Sequence, residues 1–389
     1  MSSVDGRAAI ARVLESNSDR FTDLVDAAGL VRARDFQRAN LRRVNLRNEI
    51  LSGFDFNAAH FEGADLTGAD VRGVNFGEAK GLAQANLTGV LEDASTRWPA
   101  NTHRPGTLLY IPPGRFLMGT PEAEGGREYD KLSDTDDERP VHEVTIPRGF
   151  FLGRTPVTVG EFRRFVAETN RKMPKGAWTW TEGKGWGQND EVDWANPGFP
   201  QDDRHPVTCV SHEDATAYVD WLSEETRREY RLPTEVEWEY ACRAGTRTAR
   251  FWGDGREGAV EYANGADRSL ALATKEDPAQ ENRFFSHDDG FAFTSPVGAF
   301  KANPFGLFDM LGNVLEWCRD WYTPNYVNSP NNGTENATPD NPDSRVLRGG
   351  SRDGVPRGLR SGTRNRNDPR YRYNYIGFRV ARALAPLES

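Results

Sequence analysis

At 389 residues the chain is long enough for two or three domains. Its 10 Trp, 11 Tyr and 21 Phe exclude a disordered acidic chain, although 28% of residues are charged. A formal net charge of −9 argues against a general nucleic-acid binder.

The first residues lack the basic and apolar regions of a secretory leader, and no apolar run approaches the roughly 18 residues of a membrane span. The three cysteines, Cys209, Cys242 and Cys318, give no disulfide framework and fit a reducing, cytoplasmic setting. Residues 1–32 read as a helical cap: Ile10, Val13, Leu14, Phe21, Leu24 and Val25 recur at three- and four-residue steps, and Asn17-Ser18 predicts a break between two helices. Residues 33–91 carry a repeat of period five. Phe36, Leu41, Leu46, Leu51, Phe56, Phe61, Leu66, Val71 and Phe76 fall five apart without a slip. Mostly small residues sit two before each centre (Ala39, Val44, Ala59, Ala64, Ala69, Val74), with Glu49 and Phe54 as departures; Asn or Asp often fills the slot between. Neither a helix nor a strand has this period, whereas a coil with one pentapeptide per side does. The pattern resembles the pentapeptide-repeat family, a right-handed quadrilateral β-helix. Gly81 breaks the period, and Leu82 and Leu87 are placed to resume it after a one-residue insertion. So few turns need capping at their ends; a spacer or a homo-oligomerisation rod is the expected role. Residues 92–106, with Pro99, Asn101 and Pro105, read as a linker.

Residues 107–386 hold most of the aromatics. Strands are expected at 108–111, 116–119 and 150–155, and capping boxes or their analogues open helices at Thr158-x-x-Glu161, Ser211-x-x-Asp214 and Thr234-x-x-Glu237. Stretches 170–205 and 245–300 read as long loops, which in a compact domain are functional or metal-braced. The phrases Gly119-Thr-Pro-Glu, Thr155-Pro-Val-Thr-Val-Gly-Glu-Phe, Pro206-Val-Thr-Cys-Val-Ser, Arg231-Leu-Pro-Thr-Glu-Val-Glu-Trp-Glu-Tyr-Ala, Asn303-Pro-Phe-Gly-Leu-Phe-Asp-Met-Leu-Gly-Asn-Val-Leu-Glu-Trp, Arg348-Gly-Gly-Ser and Gly377-Phe-Arg-Val follow one another in this order. Together they resemble the formylglycine-generating-enzyme, or sulfatase-modifying-factor, domain. That resemblance implies an α+β fold, an irregular C-type-lectin-like domain.

The family's enzyme oxidises a sulfatase cysteine with copper and dioxygen, using two cysteines after the Gly-Gly-Ser motif. Here no cysteine follows Cys318, so the segment offers no soft thiolate for copper(I), and copper is not expected. A second branch of the family, the iron-dependent sulfoxide synthases, uses a three-His site. The six histidines, at 60, 103, 142, 205, 212 and 287, include no His-x-x-x-His pair. The resemblance also implies structural calcium. One site would fall on Asn264, Gly265, Asp289 and Phe291, and the other on Asp309, Gly312, Val314 and Glu316; both sets supply the oxygens a hard cation takes.

Residues 345–382 hold eleven Arg and two Asp, a local +9, which leaves −18 on the other 351 residues. Two characters interleave there. A frame, including Arg345, Arg348, Arg360, Arg364 and Arg379, reads as core strands with arginines that satisfy buried backbone. A filler consists of Arg352, Asp353, Gly354, Arg357, Gly358, Gly362, Thr363, Arg370, Tyr371, Arg372, Tyr373, Asn374 and Tyr375. Those residue types arise when the adenines of an Asn codon are replaced. Frame and filler together resemble the variable region of a diversity-generating-retroelement target protein. The expected ligand-binding set is the filler without Gly362. Its composition suits adaptable contact with a protein or other macromolecule. The expected function is therefore recognition without catalysis. The alternative is a copper- or iron-dependent oxidase or oxygenase of this family with altered catalytic residues.

Overall fold

The computed structural model describes residues 6–16, 18–100, 106–121, 137–181, 185–280, 283–337 and 343–384, with side chains from Ala11 onward. The chain divides into two compact units, Met1–Tyr110 with Glu225–Arg227, and Ile111–Glu224 with Arg228–Ser389.

In the first unit, helices α1 (Gly6–Glu15) and α2 (Phe21–Ala28) flank the expected break. The side chain of Ile10 lies outside the described residues. The repeat then closes on itself every twenty residues: Asn40 bridges His60, Asn45 bridges Asp65, Ile50 bridges Asp70, and Asp55 bridges Asn75, all in parallel. Four pentapeptides therefore make one turn. After Gly81 the partners shift by one, Asp65 to Asn86, as the insertion requires. The large centres from Leu46 to Phe76 are completely buried. The Asn/Asp slot has a backbone task. Asp55 Oδ1 accepts from Asn57 N at 2.9 Å, Asp65 Oδ1 from Thr67 N at 3.0 Å and Asn75 Oδ1 from Gly77 N at 3.1 Å, so each forms a turn at a corner.

The two departures from the small-residue slot are where α2 docks. Glu49 accepts from Phe21 N at 3.0 Å and from the Thr22 hydroxyl at 2.5 Å, so it supplies the cap that Arg20 cannot. Phe54 packs against Phe21 and Phe36, with ring centroids 5.7 and 5.0 Å away. The coil also runs further than expected. Phe76 N donates to Arg97 O at 2.7 Å, and Trp98 stacks on Phe76 at 4.5 Å, so residues 92–98 belong to the coil. The reason is that 91–97 still finds backbone partners on the turn below. Strand β1 (Leu91–Glu92) pairs in parallel with β2 (Leu108–Ile111). Asn101 and Pro105 of the expected linker lie outside the described residues.

The second unit contains, in chain order, β3 (Gly114–Met118), β4 (His142–Ile146), β5 (Phe150–Gly153), α3 (Val159–Thr169), β6 (Ala177–Thr181), β7 (Gly185–Asn189), α4 (His212–Thr226), β8 (Tyr230–Arg231), α5 (Glu235–Arg243), α6 (Ala259–Tyr262), α7 (Arg268–Thr274), β9 (Leu315–Trp321), β10 (Arg345–Arg348), β11 (Arg364–Asn367), β12 (Ile376–Gly377) and β13 (Ala381–Ala383). Strand β13 lies between β5 and β8, antiparallel to both. A second sheet has the order β11-β10-β9-β12, with only β12 and β9 parallel. Both threonine capping boxes form, and Ser211 and Asp214 cap α4 reciprocally at 3.0–3.1 Å. The expected loop 170–205 contains the antiparallel hairpin β6–β7, and 245–300 contains α6 and α7. Residues 122–136, 182–184, 281–282, 338–342 and 385–386 of the expected domain lie outside the described residues. No helix among the described residues is long and apolar enough to cross a membrane.

Candidate ligand-binding cleft

The arginines of 345–382 divide by what they touch. Helix α5 is buried along its whole length, yet its sequence places Glu235, Glu237 and Glu239 there. Each carboxylate has a guanidinium. Arg364 forks onto Glu235 at 2.7 and 2.9 Å, and Arg231 forks onto Glu237 at 2.6 and 2.7 Å. Glu239 takes Arg348 and, at 2.8 Å, Arg243. Burial alone would push Glu239 up, but Arg243 and Arg348 hold it below the usual carboxylate range. Arg360 forks onto Glu138 at 2.8 and 3.0 Å, and Arg379 onto Glu316 at 2.6 Å through each nitrogen. Frame arginines thus bind buried carboxylates as well as backbone. The Glu-x-Glu-x-Glu run on an otherwise apolar helix was the sequence signal for this. Arg345 is only half-buried and lies 3.5 Å over the Trp321 ring.

Part of the filler joins the β6–β7 hairpin around a cleft of about 690 Å³. The floor holds Arg352, Asp353 and Asn374; Trp180, Trp186 and Val192 contribute apolar wall. The alternation 370–375 is held as an irregular strand edge: Trp178 N donates to Arg372 O at 2.7 Å, and Cys209 N to Tyr373 O at 2.9 Å. This puts the tyrosines against the hairpin tryptophans. Tyr373 lies 6.0 Å from Trp178, and Tyr375 lies 5.2 Å from both Trp186 and Tyr373. Tyr371 is the most open of the three, at 43%.

The remaining expected contact residues are dispersed. Arg372 reaches Asp214 at 2.8 Å on α4, away from solvent, and Arg370 is exposed but bound to Asp368. Arg357 is exposed, and Gly358 and Thr363 are half-buried; none of the three lines the cleft. Two corrections follow from packing. A side chain at Gly354 would begin 2.3 Å from Leu359 Cδ1 and 2.8 Å from Ser351 O, so this position accepts only glycine without rearrangement. At Gly362 a side chain would meet the Thr120 hydroxyl, which is itself bound to Glu138, although no backbone atom stands in the way. Both belong with the frame. Arg352, expected as a contact residue, is only 6% exposed and lies beside the stacked pair Phe199–Phe293, 4.8 and 5.2 Å from the two ring centroids. The hairpin's contribution was missed, although Ala177-Trp-Thr-Trp-Thr alternates with the period of a strand.

The two expected cation sites differ in fit. Around the first, Asn264 Oδ1 and Asp289 Oδ2 are buried without a partner among the described residues, which suits a hard cation. Desolvation, with the neighbouring Asp267, raises Asp289 to about 8. Asp267 N-caps α7 and accepts from Asp289 N at 2.5 Å. Gly265 and Phe291 adjoin this group through Asn264 and through Phe291 N, which donates to Asp289 Oδ1 at 2.8 Å. In the second set Glu316 does not fit. Both its oxygens are taken by Arg379, and Trp238 Nε1 donates to it at 2.7 Å. Asp309, raised to about 6 by burial, accepts from Gly298 N at 2.8 Å. Gly312 lies against the Asn264 carbonyl, and Val314 is core.

Residues 94–384 match the family described as Sulfatase-modifying factor enzyme 1-like domain, and residues 35–77 match pentapeptide repeats in eight copies. The chain belongs to the sulfatase-modifying-factor family. It is 31% identical over 306 residues to the formylglycine-generating enzyme of Streptomyces coelicolor, covering 70% of this chain and 87% of that one. It is 32% identical over 309 residues to the hercynine oxygenase of Mycolicibacterium smegmatis, covering 71% and 61%. Among solved structures, PvdO from Pseudomonas aeruginosa aligns with a TM-score of 0.58 at 31% identity over 73% of this chain and 100% of that one. The fold of the second unit is the family's irregular C-type-lectin-like arrangement.

Within this sulfatase-modifying-factor fold the cysteines are all buried, at 1% exposure or less, and burial pushes Cys209 and Cys242 up to about 12. Among the described residues no cysteine and no histidine lines the cleft. Burial drives His212 down to about 3. His103 lies outside the described residues, and among those described no three His, Cys, Asp or Glu side chains cluster as metal ligands.

Proposed function

We propose that this member of the sulfatase-modifying-factor family recognises a ligand without transforming it. The observation that carries this reading is the cleft floor, which presents a guanidinium and an amide, Arg352 and Asn374, among aromatic walls, with no thiol or imidazole. Thiols in this chain are held protonated in the core, and the thiolate is the form that binds copper(I). The ligand is a macromolecule with an acidic surface, bound by the cleft and by the aromatic rim around Tyr371. The replaceable positions lie within 352–375 and are rewritten at adenine-bearing codons by a diversity-generating retroelement. Packing at Gly354 supports a narrower replaceable set that omits it. Calcium at Asn264 and Asp289 braces the loops behind the cleft, and the coil serves as spacer or self-association module.

Sequencing codons 345–382 from many lineages of one strain tests the diversification. Substitutions confined to the filler, with a reverse transcriptase gene and an adenine-differing template nearby, are expected. An even spread of substitutions, or no such gene, would leave a fixed binding module.

The names of the relatives favour a second reading, an oxidase or oxygenase with a rebuilt site. The copper- or iron-loaded chain would then consume oxygen with cysteine-containing peptides. Oxygen uptake that saturates with peptide would establish this reading and end the first.

A further inference from the structure

Charges that line the cleft are not equally satisfied. Arg283 pairs with Glu276 at 3.4 Å and donates to the Asp353 carbonyl at 3.1 Å. Glu276 also accepts from the Thr274 hydroxyl at 3.0 Å. The Asp353 carboxylate is held by the Ser351 hydroxyl at 2.5 Å. Arg352 differs from all of them. Its Nε is buried with no partner, and its guanidinium makes no hydrogen bond or ion pair among the described residues. Stacking on Phe199 and Phe293 offsets part of its desolvation but uses none of its five N–H donors. Arg345, Arg348, Arg360, Arg364 and Arg379 are each forked onto a carboxylate or bound to backbone, so a buried idle guanidinium stands apart from them. On the same floor, Asn374 Nδ2 donates to Pro197 O at 3.3 Å, but its Oδ1 is buried without a donor among the described residues.

We infer that Arg352 is the anchor for a carboxylate of a peptide segment, whose main-chain N–H groups satisfy Asn374 Oδ1. This deepens the recognition reading and rests on it. A peptide meets all three features of the cleft. It supplies a carboxylate for the planar fork, an N–H for the idle amide oxygen, and apolar side chains for Trp180 and Trp186, which are 43% and 46% exposed. The carboxylate belongs either to a chain terminus or to an Asp or Glu side chain. Asp353 and Glu276 disfavour an unspecific anion, because a bare ion receives their repulsion without the apolar contacts.

The full chain, immobilised, is offered three pools of random tetrapeptides. One has free C-termini and no Asp or Glu, one is amidated with Asp or Glu at one position, and one is amidated and neutral. Retention is read by mass spectrometry. The first or the second pool is expected to be retained and the neutral pool is not; which of the two is retained names the source of the carboxylate. Arg352→Gln should lower retention about ten- to a hundredfold, the usual weight of a charge-assisted fork. Arg352→Lys, which keeps charge without the fork, should fall between. Should Arg352→Gln fail to fold by its melting curve, Arg352→Lys with Asn374→Ser carries the comparison. Equal retention of the neutral pool, unchanged retention by the folded Arg352 variants, or retention of none of the pools would overturn the inference. Neutral-pool retention that is lost on Trp186→Ala would overturn the Arg352 anchor alone and leave the recognition reading in place.

Discussion

The repeat coil and the lectin-like unit fill their interiors by opposite means. The coil stacks Leu and Phe on a ladder whose partners stand twenty residues apart, with Phe56, Phe61 and Phe76 within 5.4–5.7 Å of one another. The lectin-like unit has little regular ladder. It holds long irregular segments to one helix and one sheet with buried guanidinium–carboxylate forks. Such forks are weak evidence for net stability, because desolvation offsets most of the attraction. They are strong determinants of register, since a stranded partner is heavily penalised. Within 345–382 the specific pairs hold the frame arginines in place, whereas Arg357 and Tyr371 are exposed and hold nothing buried.

Glu239→Gln removes the carboxylate of Arg243 and one of the two that face Arg348, and should destabilise the lectin-like unit by about 3 kcal/mol. Urea unfolding with hydrogen exchange resolved by segment should place the loss in 111–384 and leave the coil's protection unchanged. A loss below about 1 kcal/mol would mean the network is ornamental. In the coil, Phe56→Ala should cost about 3–5 kcal/mol through cavity formation, with protection lost in 36–98.

Asp289, with a folded value near 8 against an unfolded value of about 3.9, binds its proton more tightly when folded. Its ionisation therefore costs stability progressively as pH rises from about 4 to 8. A calcium ion on the ionised form removes that cost. The rise in melting temperature with calcium should be larger at pH 8 than at pH 5, and Asp289→Asn should abolish it while raising the metal-free melting temperature at pH 8. No calcium response in the parent chain would remove the brace. The smallest effect belongs to Tyr371→Ala, within about 0.5 kcal/mol of the parent because its ring is open to solvent. Tyr373→Ala should cost more, since its ring packs on Trp178 and Trp186.

Local rules made the coil and the helix starts readable. Period five needs only neighbouring residues, and a capping box spans three positions, as at Thr158 and Thr234. The arginine pairs were not readable as pairs. Arg360 and Glu138 stand 222 residues apart, and Arg364 and Glu235 stand 129 apart, so spacing carries no sign of the partner. The family resemblance located the frame without saying what it holds. Arg352 was legible as a contact residue but its burial was not: charge predicts exposure, and only the fold brings the stacked pair Phe199–Phe293 beside the guanidinium. Glu316 was misassigned because a carboxylate among glycines suits a cation, and Arg379, 63 residues on, supplies one covalently.

The central claim is that 345–382 combines a fixed frame with a replaceable surface. A deep mutational scan of this segment in the full chain, read by protease resistance, tests it most directly. The account predicts that Arg348, Gly354, Arg360, Gly362, Arg364 and Arg379 tolerate almost nothing. Arg357, Arg370 and Tyr371 should tolerate nearly every residue. Equal intolerance across both sets, or free substitution of the forked arginines, would contradict it.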